Sequence, residues 1–311
     1  MPLFLIVLII AVILFAAFLI CIYIFTFHSP NGHQTDDFEL MKTAQVDAVR
    51  DRIIEMISEV RKIPYDEVFI RSDDGLRLRG RYFHTRDGAP LVICFHGYRG
   101  NPVRDFSGGT KDYLDFGCNL LVIEQRAHMS SEGHTITYGV KERYDCLRWT
   151  EYARDRFGQD CPIVIAGISM GAATVLMASE LNLPENVRGI IADAPFTSPD
   201  AIIAKVLVDM KFPVPLVMPF IRLVARLFCG FRLMDADASE AVKNAKVPIL
   251  LIHGDEDHFV PYDMGRQIAE ANPSLIRFQT FSGAGHGLSY LVDTPRYKAL
   301  VREFLEQAFA E

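Results

Sequence analysis

The sequence predicts an α/β fold: an open, mostly parallel eight-stranded sheet with helices on both faces, a cap insertion and an N-terminal transmembrane helix. Three observations carry this. Short continuous apolar runs alternate with helical stretches from Pro64 to the C-terminus, as in βαβ units whose strands are covered on both faces. An uncharged apolar block fills residues 3–27. The run Gly167-Ile168-Ser169-Met170-Gly171 joins an apolar run to a helical stretch. With 311 residues, 50% of them hydrophobic and 23% charged, the chain is neither disordered nor low in complexity. Its net charge of −7, with no basic tail, excludes nucleic acid as the main partner.

The N-terminal block would be about 37 Å long as a helix, enough to cross a hydrocarbon core of about 30 Å with some tilt. A cleavable signal peptide would have a shorter apolar region, preceded by Lys or Arg and followed by a small-residue site. Here no Lys or Arg precedes the run, and bulky Ile20 stands before Cys21, where lipoprotein processing wants a small residue. Residues 1–28 are therefore expected to be an uncleaved single-pass anchor binding the lipid bilayer. Its orientation stays open, because Lys42 is the only Lys or Arg within 20 positions of the block's end. The six cysteines show no CxxC pair. Cys94 and Cys161 fall in expected buried strands, as free cysteines of a reducing compartment often do.

Residues 29–65 read as a linker and an amphipathic helix. Pro30-Asn31-Gly32 breaks the chain. Phe38, Met41, Val46, Val49, Ile53, Met56 and Val60 then form a stripe over 36–62 that predicts one helix packed on the following domain, closed by Pro64. The domain proper covers 66–311. Strands are expected at 68–71, 76–83, 91–95, 119–123, 162–166, 189–192, 249–253 and 277–281. Helices are expected at 140–157, 172–181, 263–271 and 295–308. Arg77, Arg79 and Arg81 alternate along the second strand, as on the solvent side of an early antiparallel strand. Between 195 and 245 the rhythm breaks, and about 196–245 reads as a cap over the carboxyl ends of the strands. Pro213, Pro215, Pro219, Arg222 and Arg226 argue against a second membrane span there.

Strand, sharp turn and helix around Ser169 are the setting of a nucleophile elbow, with glycines where the strained turn brings backbones together. A serine hydroxyl needs a base and an orienting carboxylate. His286, in the loop Gly283-Ala284-Gly285-His286-Gly287, is the best-placed base of the nine histidines. For the acid, Asp257 follows His253-Gly254, Asp255 lies two positions nearer the strand, and Asp193 ends the preceding strand.

These residues, with His96-Gly97-Tyr98, Asp193-Ala194-Pro195-Phe196 and Val260-Pro261, resemble the α/β-hydrolase family. More narrowly, they are similar to its membrane-anchored bacterial serine hydrolases of the serine-aminopeptidase-like (S33-type) group. The resemblance covers roughly Val68 to the C-terminus. It implies Ser169 as nucleophile, Asp257 as acid and His286 as base, and it implies an oxyanion hole made by the backbone N–H groups of Tyr98 and Met170. His96, before Gly97, is then expected to hydrogen-bond structurally. One stretch departs from the pattern. Relatives often carry Asp-x-Arg with a nearby Gly, whereas here Glu124-Gln125-Arg126 precedes Met129. Arg126 is expected to form a structural ion pair.

No dinucleotide fingerprint, P-loop or zinc spacing is present, so no cofactor or metal is expected. The sequence thus points to a serine hydrolase of carboxylic esters. A peptidase trimming short peptides, a thioesterase or acyltransferase, and a non-catalytic binding module are the weaker readings. Every catalytic candidate lies beyond Tyr65, so removing residues 1–28 is expected to leave the chemistry intact.

Overall fold

The computed structural model describes residues 2–29 and 37–310. The apolar block forms α1 (Leu3–Thr26), followed by α2 (Ala44–Ala48) and α3 (Arg50–Val60). The sheet begins with β1 (Asp66–Arg71), β2 (Arg77–Phe83) and β3 (Leu91–Phe95). After α4 (Pro102–Asp105) and α5 (Gly109–Asp115) come β4 (Asn119–Ile123), α6 (Glu142–Phe157), β5 (Ile163–Ile168), α7 (Met170–Ala178) and β6 (Val187–Asp193). Two helices, α8 (Pro199–Asp209) and α9 (Val214–Phe228), and the short α10 (Ala238–Ala241) separate β6 from β7 (Ile249–Gly254). The chain closes with α11 (Tyr262–Ala271), β8 (Ile276–Phe281), α12 (Ser289–Val292) and α13 (Thr294–Ala310).

The eight strands lie in the order β1-β2-β4-β3-β5-β6-β7-β8. β2 is antiparallel to both β1 and β4, and every other pairing is parallel. Because successive side chains of a strand point to opposite faces, each apolar run feeds two cores. Leu91, Ile93 and Phe95 of β3 and Leu121 and Ile123 of β4 face the layer containing α6, α7 and α9. Val92, Cys94, Leu120 and Val122 face the layer of α5 and α13.

Two expectations are corrected. The stripe over 36–62 is not one helix. Asp36 and Pro30-Asn31-Gly32 lie outside the described residues, and helix begins only at Ala44, where the Thr43 hydroxyl accepts the N–H of Val46. Val49, at φ −119° and ψ 10°, then breaks it. The stripe survives the break because Val46 on one piece and Ile53, Ile57 and Val60 on the other pack on the same surface with Val103 and Leu288.

The arginines of β2 do not all face solvent. Arg77 is exposed and stacks on Phe69, but Arg79 is buried and Arg81 largely so. Both donate to Glu124, which is fully buried at the end of β4, and Arg79 also donates to Glu67. A buried carboxylate is tolerated only when paired and hydrogen-bonded, and two guanidiniums and the N–H of Ser130 do this for Glu124.

α1 is long and apolar enough to cross a membrane, and nearly all its side chains are exposed. Its C-terminal half packs along α9, with Phe15 and Phe18 edge-on to Phe220 and Tyr23 against Phe228. Leu19, Ile22 and the adjoining Phe27 belong to the main core, and Phe27 has no exposed surface.

Candidate active site

Four loops at the carboxyl ends of β3, β5, β7 and β8 converge, the place where open α/β sheets bind ligands. Ser169 stands between β5 and α7 at φ 55° and ψ −117°, a strained backbone for a residue with a Cβ. The glycines around it are obligatory. A Cβ on Gly171 would lie 1.9 Å from the Phe95 carbonyl oxygen, and one on Gly167 would lie 2.3 Å from the Gly171 carbonyl carbon. The turn is braced from behind, since the Ser169 N–H donates to the Asp193 carbonyl at 2.8 Å.

His286 is brought between Ser169 and Asp257. Its Nε2 lies 2.9 Å from Ser169 Oγ and its Nδ1 2.7 Å from Asp257 Oδ2. Asp257 has almost no exposed surface, and its Oδ1 accepts the N–H groups of Phe259 and Val260 at 2.9 and 2.8 Å. Burial alone would raise its pKa. Hydrogen bonds from His253 and His286 outweigh this and hold it well below the ordinary carboxylate value. Facing an ionised carboxylate, His286 Nδ1 carries the proton, which leaves Nε2 free to accept the Ser169 hydroxyl.

The other two carboxylates considered for this role are engaged elsewhere. Asp255 Oδ1 accepts the Gly283 N–H at 2.7 Å, tying the β7 loop to the loop that carries His286. Asp193 is buried beneath the site, where burial pushes its pKa up to about 6 against the opposing pull of His253, Tyr297 and His286. His96 makes the structural contacts expected of it. Nε2 accepts the Gln125 N–H at 3.1 Å and Nδ1 faces the Gly97 carbonyl at 2.8 Å. Burial lowers its pKa to about 3, so it is neutral.

The loop His96-Gly97-Tyr98 lies against the elbow, for a Cβ on Gly97 would come 3.4 Å from Ser169 Cβ. The Gly97 N–H donates to Asp105 at 2.9 Å. Met170 is the first residue of α7, where backbone N–H groups have no intrahelical acceptor. Arg126 forms a buried pair with Asp145 and a further one with Asp74. Met129, where the resemblance implies a glycine, adopts φ 49°, a left-handed backbone that glycine takes up without strain.

A cleft of about 820 Å³ opens over Ser169 and His286. Its walls come from the last turn of α1, from Leu40, Val46, Ile53 and Met56, from the segment 97–116 and from the segment 287–301. Sequence reasoning placed the roof in the 196–245 insertion; these walls instead come from the N-terminal segment and from the segments after β3 and β8. It also missed three contributors. His253, fully buried, stands 3.4 Å behind Asp257. Phe259 packs its ring 5.0 Å from that of His286. The third is the end of α1. The Tyr98 and Tyr138 hydroxyls donate to the Thr26 carbonyl at 3.0 and 2.9 Å. Arg99 donates to the carbonyls of Ile24, Phe25 and His28. Phe27 and Ser29 continue into backbone hydrogen bonds with Ile136 and His134. Only the four-residue spacing of His253 and Asp257 was available as a sequence signal.

The model of the α/β-hydrolase fold family matches residues 90–224. The Bacillus subtilis (strain 168) protein YqkD is 25% identical over 238 residues, which span 76% of this chain and 78% of that protein. The lysophosphatidylserine lipase ABHD12 of Rattus norvegicus is 25% identical over 243 residues, spanning 71% of this chain but only 57% of the lipase. Among solved structures, the Pyrococcus furiosus esterase Pf2001 superposes with a TM-score of 0.65 at 22% identity, over 81% of this chain and 95% of the esterase. Strand order, the elbow and these matches agree, and the chain has the α/β-hydrolase fold.

Proposed function

We propose that the protein is a membrane-anchored serine hydrolase that cleaves carboxylic esters through an acyl-enzyme on Ser169. The observation that carries this is the unbroken relay Asp257–His286–Ser169, with 2.7 and 2.9 Å contacts, at the floor of the cleft. His286 Nε2 takes the hydroxyl proton as Ser169 Oγ attacks the ester carbonyl carbon. The backbone N–H groups of Tyr98 and Met170 hold the developing oxyanion, donors of a kind worth about 2.7–4 kcal/mol each. The imidazolium returns the proton to the departing alcohol. His286 then deprotonates a water, which attacks the acyl carbon and frees the acid. Asp257 fixes the tautomer and stabilises the imidazolium throughout.

The cleft favours an apolar acyl group, being walled by Leu40, Met41, Val46, Ile53 and Met56. An esterase and a lipase among the similar proteins support ester over peptide. Two of the four acids that line the cleft are already engaged, Asp105 by Arg104 and the Gly97 N–H, and Asp112 by Lys298 and Tyr290. The bilayer attachment rests on α1. A fluorophosphonate should label the full chain at Ser169, located by peptide mass spectrometry. The Ser169→Ala chain should neither label nor turn over a small soluble ester, with unchanged thermal stability. Ester turnover by that variant within a few-fold of the parent would overturn the assignment.

A further inference from the structure

The face of α8 and α9 that points away from the sheet is apolar and exposed. Val208, Met210, Phe212, Leu216, Leu227 and Phe228 are each about half exposed or more, and Leu216 and Leu227 are two-thirds exposed. From Met210 to Met234 the chain has four basic residues, Lys211, Arg222, Arg226 and Arg232, and no acidic one, although the whole protein carries a net charge of −7. Apolar side chains flanked by Lys and Arg are the composition of a helix lying in an anionic membrane interface. Of the hairpin's charges, Arg222 forms a bidentate pair with Asp200 at 2.8 Å, and Lys205 pairs with Asp209.

Position argues the same way. Phe220 packs against Phe15 and Phe18, and Phe228 against Tyr23, so α9 runs alongside the C-terminal half of α1. Fifteen residues of helix measure about 22 Å. If α1 occupies a hydrocarbon core about 30 Å thick, a helix at the level of Phe15 lies within the adjoining leaflet. The same end of α1 supplies Ile24, Phe25 and His28 to the wall of the cleft.

We infer that the α8–α9 hairpin is a second membrane contact, docked in the anionic leaflet beside α1, and that the cleft draws its ester from that leaflet. This rests on the reading of α1 as an anchor and of Ser169 as a nucleophile. The occupant of the apolar face is lipid. A substrate held in the bilayer then reaches the cleft along the exit turn of α1, without crossing water.

The single tryptophan, Trp149, is fully buried, so an added indole reports its own surroundings. Full-length chains carrying Leu216→Trp or, as control, Val292→Trp on α12 are reconstituted into phosphatidylglycerol–phosphatidylcholine vesicles with or without brominated acyl chains. Emission of the Leu216→Trp chain should fall roughly twofold in brominated vesicles, as for a side chain in the acyl region, and that of Val292→Trp should not. Equal emission changes in the two overturn the hairpin contact; a chain that does not co-float with vesicles overturns both the contact and the anchor. A Leu216→Gln/Leu227→Gln chain should keep soluble-ester kcat/KM within twofold and lose roughly tenfold on an ester held in the same vesicles. Equal loss on both substrates overturns delivery from the leaflet. A parent chain inactive on both esters overturns the hydrolase reading instead, and the quenching result stands apart from it.

Discussion

Two carboxylates near His286 differ in what surrounds them, and this separates their roles. Asp257 is ionised because two backbone N–H groups and two imidazoles converge on it. Asp257→Asn puts an amide where His286 needs an acceptor, and turnover should fall by about 10⁴ with little change in thermal stability. Asp193 is the reverse. Its pKa is raised to about 6 by burial, so the folded state holds a proton more tightly than the unfolded one. Stability from a raised carboxyl is present at low pH and lost as pH rises between the unfolded value and about 6. Asp193→Asn removes that loss. Melting curves should show the variant gaining on the parent from pH 4 to pH 6.5, with activity retained at pH 7. The Asp193 backbone braces the elbow, its carbonyl accepting the Ser169 N–H, whereas burial of its side chain depends on Tyr297 and Ser289, about a hundred residues away. The relay itself was legible because each member announces itself locally: Ser169 by strand–turn–helix, His286 by its glycines, Asp257 by its place after β7.

At the scale of elements, α1 shows where a modular reading of the chain stops. Its first fifteen residues are exposed as an anchor's would be, yet its last turn is part of the hydrolase. Thr26 accepts two tyrosine hydroxyls, one of them from Tyr98. Phe27 lies edge-on to Tyr138 and Phe231 with no exposed surface. Removing residues 1–28 takes away core and leaves Tyr98, Tyr138 and Arg99 without the carbonyls they hold, so labelling at Ser169 should slow. Phe27→Ala should cost about 3–5 kcal/mol in urea unfolding, while a deletion ending at residue 15 should leave fluorophosphonate labelling within about twofold, since it spares every one of these contacts. A deletion of residues 1–28 that labels as fast as the full chain would refute the point. No pattern in residues 23–28 signals this, because the partners are contributed by loops after β3 and β4. The break at Val49 was hidden for a related reason: both pieces bury the same stripe, so periodicity does not register the change of axis.

For the molecule as a whole, the sheet was readable because its central strands are buried on both faces and so appear as unbroken apolar runs. The antiparallel edge was read less well, since its arginines look solvent-exposed until Glu124, 45 positions after Arg79, is folded against them. A second ionic cluster joins this edge to the parallel body. Arg126, in the loop after β4, reaches Asp74 in the β1–β2 turn and Asp145 on α6. Burial holds Asp145 above the ordinary carboxylate value, at about 6, even with Arg126 2.6 Å away. Replacing Arg126 leaves that carboxyl buried without its counter-ion, and breaking one partner of such a pair costs about 3–5 kcal/mol. The cost must depend on pH, and its sign follows from the direction of the shift. Without the guanidinium the folded-state pKa of Asp145 rises further, so the folded protein keeps its proton to higher pH than the unfolded chain does. The variant's stability is then greatest at low pH and falls as pH rises through the raised value. Arg126→Ala should accordingly be destabilised most at pH 8 and much less at pH 5 in urea titrations, and adding Asp145→Asn should recover most of the difference at pH 8. A cost that does not change between pH 5 and pH 8 would show that Arg126 acts by packing its stem between the edge and α6, with its charge contributing little.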